Sequence, residues 1–125
     1  MQNIQAVSRV LANVEITAQP FEKVIARARQ GDFVYFDPPY HPLSSTSSFT
    51  GYTKGAFNME DQERLSQVFR TLTNKGCHVM LSNSDIGPIR DLYRGFRIET
   101  VLATRAINCN SERRGRITEL LILNY

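Results

Sequence analysis

The stretch Gly31-Asp32-Phe33-Val34-Tyr35-Phe36-Asp37-Pro38-Pro39-Tyr40 decides how the rest of the chain is read. Phe33 to Phe36 form an unbroken apolar run between turn formers, the pattern of a strand buried on both faces of a parallel sheet. Two prolines then end the ladder, because neither has a backbone N–H to donate. A carboxylate, two rigid residues and an aromatic ring are thereby set at the carboxyl end of a central strand. Ligands of open α/β sheets bind at that edge.

Upstream, Ile4, Val7, Val10 and Leu11 recur at near-helical spacing, so Gln2 to Asn13 reads as a short amphipathic helix. Val14 to Thr17 reads as a β-branched strand. Pro20 opens a second helix at its first position, Phe21, Val24, Ile25 and Ala28 line one face of it, and Gly31 ends it. Downstream, His41 to Phe57 has no periodicity, and a loop of that length in a compact domain is either functional or disordered. Its aromatics, Phe49, Tyr52 and Phe57, favour a loop that orders over a ligand; the plainer reading is a surface loop. Asn58 caps the next helix, with Glu60 and Asp61 in its first turn and Leu65, Val68, Phe69 and Leu72 as its buried stripe. After Gly76 comes a second buried strand, Cys77 to Leu81, leading into Ser82-Asn83-Ser84-Asp85. A short helix with Ile86, Ile89 and Leu92 inward runs to Gly95. Strands over Phe96 to Ile107 and Glu119 to Tyr125 follow, joined by a basic loop.

Alternation of this kind predicts an α/β fold, its sheet mainly parallel with helices on both faces. The last two strands, with no crossover between them, form an antiparallel hairpin. A chain of 125 residues is one domain, and its 42% apolar and 22% charged residues are those of a soluble globular protein. The net charge of +3 permits a nucleic-acid partner without requiring one. Cys77 and Cys109 lack the spacing of a metal site or disulfide framework, and His41 and His78 have no partners at ligand spacing. No metal is therefore expected, and a reducing cytoplasm is the default setting. No apolar run approaches the roughly 20 residues of a membrane helix, so no membrane partner is expected.

An exocyclic amino group of a nucleobase is a poor nucleophile, because its lone pair is delocalised into the ring. The Asp37 carboxylate and the Pro38 carbonyl could both accept hydrogen bonds from such a group and let the nitrogen pyramidalise, with fixed acceptors offsetting the developing charge. Tyr40 offers a face for stacking. A base inside a duplex reaches such a pocket only when flipped out. The plainer reading is that Pro38-Pro39 ends a strand and Tyr40 caps the core.

Asp37-Pro38-Pro39-Tyr40 resembles the hallmark of amino-group methyltransferases that use S-adenosylmethionine. From about Val14 onward the chain is similar to the Dam-like class of adenine-specific DNA methyltransferases. The likeness includes the Phe49/Tyr52/Phe57 loop, Ser82-Asn83-Ser84-Asp85, Arg105-Ala106-Ile107-Asn108, Arg114-Gly115 and Glu119-Leu120-Leu121-Ile122. The resemblance implies a partial Rossmann-like methyltransferase sheet, double-stranded DNA as partner and S-adenosylmethionine as methyl donor, with direct transfer to a flipped adenine. It assigns Asp37, Pro38, Pro39 and Tyr40 to catalysis. Asp37 with Gln19, Pro20 and Phe21 falls to the cofactor, where the family commonly has an acidic residue in place of Pro20. Asn83 and Asp85 correspond to residues that shape the pocket floor, and a helix cap is the plainer role for Asp85.

Asn83, Tyr52, Lys54, Arg105, Asn108, Arg113, Arg114 and Arg116 form the expected DNA-binding set. The arginines of the basic loop are suited to phosphate, and the plainer reading of that loop is a solvated hairpin tip.

No Gly-x-Gly occurs for close approach to a cofactor, and no room precedes Val14 for a target-recognition segment. The expectation is thus the carboxyl-terminal portion, residues 1–125, of a methyltransferase catalytic domain, inactive by itself. The full fold places two further strands between the 14–17 and 33–36 strands. Their absence predicts an edge repaired by direct pairing of those two strands or by self-association. Other amino methyltransferases, acting on cytosine or RNA, and a non-catalytic DNA-binding or assembly module are the alternatives.

Overall fold

A computed structural model describes residues 2–43, 56–103 and 117–125. Helix α1 spans Gln2–Leu11; a 3-10 turn, Phe21–Lys23, runs into α2, Val24–Arg27. Strand β1, Phe33–Phe36, is followed by α3, Met59–Asn74; β2, His78–Ser84; α4, Gly87–Leu92; β3, Arg97–Ala103; and β4, Ile117–Leu123. The sheet order is β1-β2-β4-β3. The β1–β2 pair is parallel, while β2–β4 and β3–β4 are antiparallel.

The mixed α/β class is as expected, but the mainly parallel sheet is not. One of the three described pairings is parallel, because β4 returns between β2 and β3. β1 is an edge strand among the described residues, and its side chains alternate: Val34 and Phe36 pack on the core, whereas Phe33 and Tyr35 are 58% and 51% exposed. An unbroken apolar run does not distinguish a doubly buried strand from one with a single covered face. Val14 to Thr17 does not form the expected strand, and its direct pairing with β1 is not found. A four-residue extended segment keeps strand geometry through a ladder neighbour, and here it has none.

The register explains where the core lies. Val34, Val79, Phe36, Leu81, Ile122 and Ile98 fall on one face through consecutive cross-strand pairs. Against that face pack Leu65, Val68, Phe69 and Leu72 of α3, Ile89 of α4, and Phe21, Val24, Ile25 and Ala28. Each large side chain buried in this way contributes about 1.5–3 kcal/mol. The helices packed on the sheet in the described residues thus share one face, not two as expected.

Helix α3 is built as its sequence demands. The Asn58 side chain accepts the Asp61 N–H at 3.0 Å, and the Asp61 carboxylate accepts the Asn58 N–H at 2.9 Å. This reciprocal cap satisfies two of the helix's orphan donors. Gly76 closes the far end at φ +81°, a conformation that side chains disfavour. Its carbonyl accepts the Gly31 N–H at 2.9 Å, and the Asp32 carbonyl accepts the His78 N–H at 2.8 Å, which locks the starts of β1 and β2 side by side. The second helix stops at Arg27, short of Gly31, yet delivers all four expected residues to the core. Helix α1 forms, but Ile4, Val7 and Val10 on its stripe are more than half exposed.

Candidate active site

β1 ends at Phe36 opposite Leu81 while β2 runs on to Ser84, and the residues beyond Phe36 are held by what stands on β2, β4 and α3. The Asp37 side chain is exposed, and its Oδ1 accepts the Ser82 hydroxyl at 2.9 Å. The Tyr35 phenol oxygen lies 3.0 Å from the same Ser82 Oγ. Gln62, fully buried on α3, donates from Nε2 to the Pro39 carbonyl at 3.0 Å. Its Oε1 accepts Asn83 Nδ2 at 2.9 Å. Asn83 Oδ1 in turn accepts the Ser84 N–H at 2.8 Å and the His41 N–H at 3.3 Å, and Ser84 Oγ donates to the His41 carbonyl. The loop after β1 is therefore gripped at Asp37, Pro39 and His41. The Pro38 carbonyl and Asp37 Oδ2 have no hydrogen-bond partner among the described residues.

Tyr40 is half-buried, and its hydroxyl donates to Glu119 Oε2 on β4 at 3.2 Å. Burial raises the Tyr40 phenol pKa, and the Glu119 and Asp37 carboxylates add to the rise. The phenol is thus neutral at physiological pH and available as a donor.

Beside Asp37 lies a cleft of about 230 Å³, lined by Phe21, Tyr35, Phe36, Asp37, Pro38, Pro39, Phe57 and Leu65. Phe21 and Phe57 meet with ring centroids 6.0 Å apart and planes tilted by 58°. The Arg64 guanidinium sits 5.3 Å from the Phe21 ring centroid and pairs with Glu22 and Asp61, which pins the rim. Its volume falls below the roughly 300–1,000 Å³ typical of ligand pockets. The described walls therefore suit part of a cofactor: an aromatic surface for a flat ring and one carboxylate for a cationic centre.

The structure brings Asp37, Pro38, Pro39 and Phe21 together, with Tyr40 on the β4 side of Asp37. Gln19 and Pro20 are exposed and do not line the cleft. Asn83 is fully buried with its amide engaged on both sides, so it supports the loop and is not free to contact DNA as expected. Asp85 is not a helix cap. It pairs with Arg90 at 2.7 Å and accepts the Thr118 hydroxyl at 3.0 Å, and Ile86 occupies the cap position. Tyr52, Lys54, Arg105, Asn108, Arg113, Arg114 and Arg116 lie outside the described residues.

Gln62 and Glu119 were not found from sequence. Gln62 carried a usable signal, since it sits three residues before Leu65 on the buried stripe of α3. Among the described residues, no His, Cys, Asp or Glu cluster suits a metal, and no helix is long and apolar enough to cross a membrane.

Comparison with known proteins fits this geometry. A type II methyltransferase of Lactococcus lactis subsp. cremoris is 48% identical over 98% of this chain and 44% of its own length. One of Methanocaldococcus jannaschii is 49% identical over 99% of this chain and 44% of its own length. A DNA adenine methylase of Escherichia coli is 33% identical over 89% of this chain and 40% of its own length. The chain thus spans less than half the length of these relatives. The family model for D12 class N6 adenine-specific DNA methyltransferase matches residues 1–107, and with Asp37-Pro38-Pro39-Tyr40 held at the carboxyl end of β1, the chain belongs to that family.

Proposed function

We propose that this chain supplies the amino-group-binding side of a DNA adenine methyltransferase site. The observation that carries the reading is that Asp37 and Pro38 both line the cleft, while Asp37 Oδ2 and the Pro38 carbonyl have no hydrogen-bond partner among the described residues. A flipped adenine amine has two protons, one for each acceptor. Donating both localises the nitrogen lone pair and aims it away from the acceptors. Tyr40 provides the stacking face and Glu119 fixes its ring. Asp37 and Phe21 face the cleft that takes S-adenosylmethionine, whose sulfonium supplies an electrophilic methyl group when bound. Orientation of the two partners then accounts for much of the acceleration.

Double-stranded DNA is the proposed partner. Arg105, Arg113, Arg114 and Arg116, with Asn108, Tyr52 and Lys54, are proposed to hold its backbone, without reading sequence. Gln19 and Pro20 are proposed to contact the far side of the cofactor. S-adenosylmethionine is expected to bind this chain weakly, because the described walls enclose only part of such a ligand.

Binding of DNA with an unpaired deoxyadenosine tests the reading. The wild type should prefer it to the same duplex with an unpaired purine lacking the amine, and Asp37→Ala should abolish the preference while keeping the fold by circular dichroism. A preference retained in Asp37→Ala removes the role assigned to the carboxylate. Affinity should fall steeply with salt and drop on Arg113→Ala/Arg114→Ala substitution.

A further inference from the structure

Asp37 lies beyond the end of the β1 ladder, and its side chain is exposed. A carboxylate so placed rotates freely unless something holds it, and rotation would present either oxygen to a ligand in many orientations. Ser82 is differently placed. It lies inside β2, paired with Leu121 of β4, and is 7% exposed. Its hydroxyl reaches Asp37 Oδ1 at 2.9 Å, and Tyr35 Oη lies 3.0 Å from the same Ser82 oxygen.

The proton direction in this chain of groups follows from donor counting. An ionised carboxylate accepts hydrogen bonds and donates none, and a serine hydroxyl has a single proton. Ser82 therefore spends its proton on Asp37, and the Tyr35 phenol must donate to Ser82. The sequence of donation is Tyr35 to Ser82 to Asp37, with Oδ1 engaged and Oδ2 without a partner among the described residues. Accepting from Tyr35 polarises the Ser82 hydroxyl and strengthens its bond to Asp37.

We propose that Ser82 is a positioning residue for the reaction. It anchors Asp37 Oδ1 to the interior of the sheet so that Oδ2 alone, in one orientation, accepts the amino proton of the base. Tyr35 fixes the direction of the Ser82 proton from the uncovered face of β1. The sheet thus transfers its rigidity to a side chain that stands outside it, and the acceptor is ordered before the base arrives.

The inference rests on reading Asp37 as the acceptor of a base amine, and its test separates the two. The unpaired-deoxyadenosine and amine-free duplexes are titrated against the wild-type chain and its Ser82→Ala, Ser82→Thr and Tyr35→Phe variants. The wild type should prefer the amine by roughly tenfold, as for one charge-assisted hydrogen bond. Ser82→Ala should prefer it by about twofold or less, with affinity for the amine-free duplex unchanged. Ser82→Thr restores the hydroxyl and should recover the preference. Tyr35→Phe should fall between, since Ser82 still donates. A preference kept in Ser82→Ala overturns the proposal, and so does a Ser82→Thr protein as deficient as Ser82→Ala, which would assign the effect to packing. A wild type without preference overturns the reading of Asp37 instead. Crystal structures without ligand then decide the positioning: a carboxylate on Ser82 in the wild type and rotated in Ser82→Ala supports it, and one orientation in both overturns it.

Discussion

Replacing Asn83 with leucine, of nearly the same volume, should loosen the candidate active site and the fold together. Asn83 is fully buried and makes three hydrogen bonds: to Gln62 Oε1 at 2.9 Å, and from the N–H groups of Ser84 at 2.8 Å and His41 at 3.3 Å. Losing bonds of this kind costs about 1 kcal/mol each, and the buried Gln62 carbonyl left without a partner adds about 1–3 kcal/mol. The long His41 contact counts for little, so the expected loss is about 3–5 kcal/mol. That is a large share of the roughly 5–15 kcal/mol that stabilises a typical domain. For 125 residues, a specific unfolding entropy near 2.1 cal/mol/K per residue gives about 0.26 kcal/mol/K, so Tm should fall by about 11–19 °C.

Thermal unfolding followed by circular dichroism measures the fall, and Gln62→Leu completes a double-mutant cycle. The double variant removes both partners of the shared bond, so its loss should be smaller than the sum of the single losses by about 1–3 kcal/mol. A drop under about 4 °C, or strict additivity, would refute the assignment of Asn83 and Gln62 as the supports of the Pro39 loop.

Tyr93 is fully buried beside Phe69, and its hydroxyl has no partner among the described residues. Tyr93→Phe should therefore leave stability at neutral pH unchanged or raise it by about 1 kcal/mol in urea titration. Burial holds the Tyr93 phenol above its ordinary pKa, so the folded state keeps a proton that the unfolded chain loses. Stability should consequently decline as pH rises above about 10, and decline less in Tyr93→Phe. Arg90, by hydrogen bonding to Asp85, holds that carboxyl below its ordinary pKa, so its stabilising effect is present above the unfolded value and lost as pH falls through the folded one. Asp85→Asn should cost stability at pH 7 and little at pH values well below the carboxylate range, as unfolding at the two pH values will tell. The edge of β1, which has no ladder partner among the described residues, should promote self-association, visible as a concentration-dependent sedimentation coefficient; Tyr35→Lys should abolish it, and identical sedimentation of both proteins would exclude the edge as the contact.

What could be read from the sequence follows the range over which each feature is determined. Asn58, Asp61 and the Leu65–Leu72 stripe specify α3 within a few turns, and they predicted it closely. The end of β1 was identifiable because two donor-less residues, Pro38 and Pro39, stop a ladder by themselves. Val14 to Thr17 has the composition of a strand, yet a strand also needs a neighbour, and composition does not supply one. The exposed side of β1 was illegible for the same reason: Phe33 and Tyr35 are as apolar as Val34 and Phe36. Ser82, Gln62 and Glu119 act through contacts with residues 45, 23 and 79 positions away. No local pattern announces such meetings, although a glutamine on the apolar stripe of α3 is a clue that a buried polar partner waits across the interface.

The position of β4 between β2 and β3 has a consequence for synthesis. Strands emerge from the ribosome in numerical order, so β3 is made before the only strand it pairs with in the described sheet. Until translation reaches Ile117–Leu123, β3 has no ladder to join and β2 holds β1 alone. One seven-residue segment then zips both halves at once, and the same segment carries Glu119 under Tyr40. A nascent chain stalled before that segment should therefore expose the apolar faces of two unjoined pieces to chaperones, and the tyrosine would lack its anchor until the ribosome moves on.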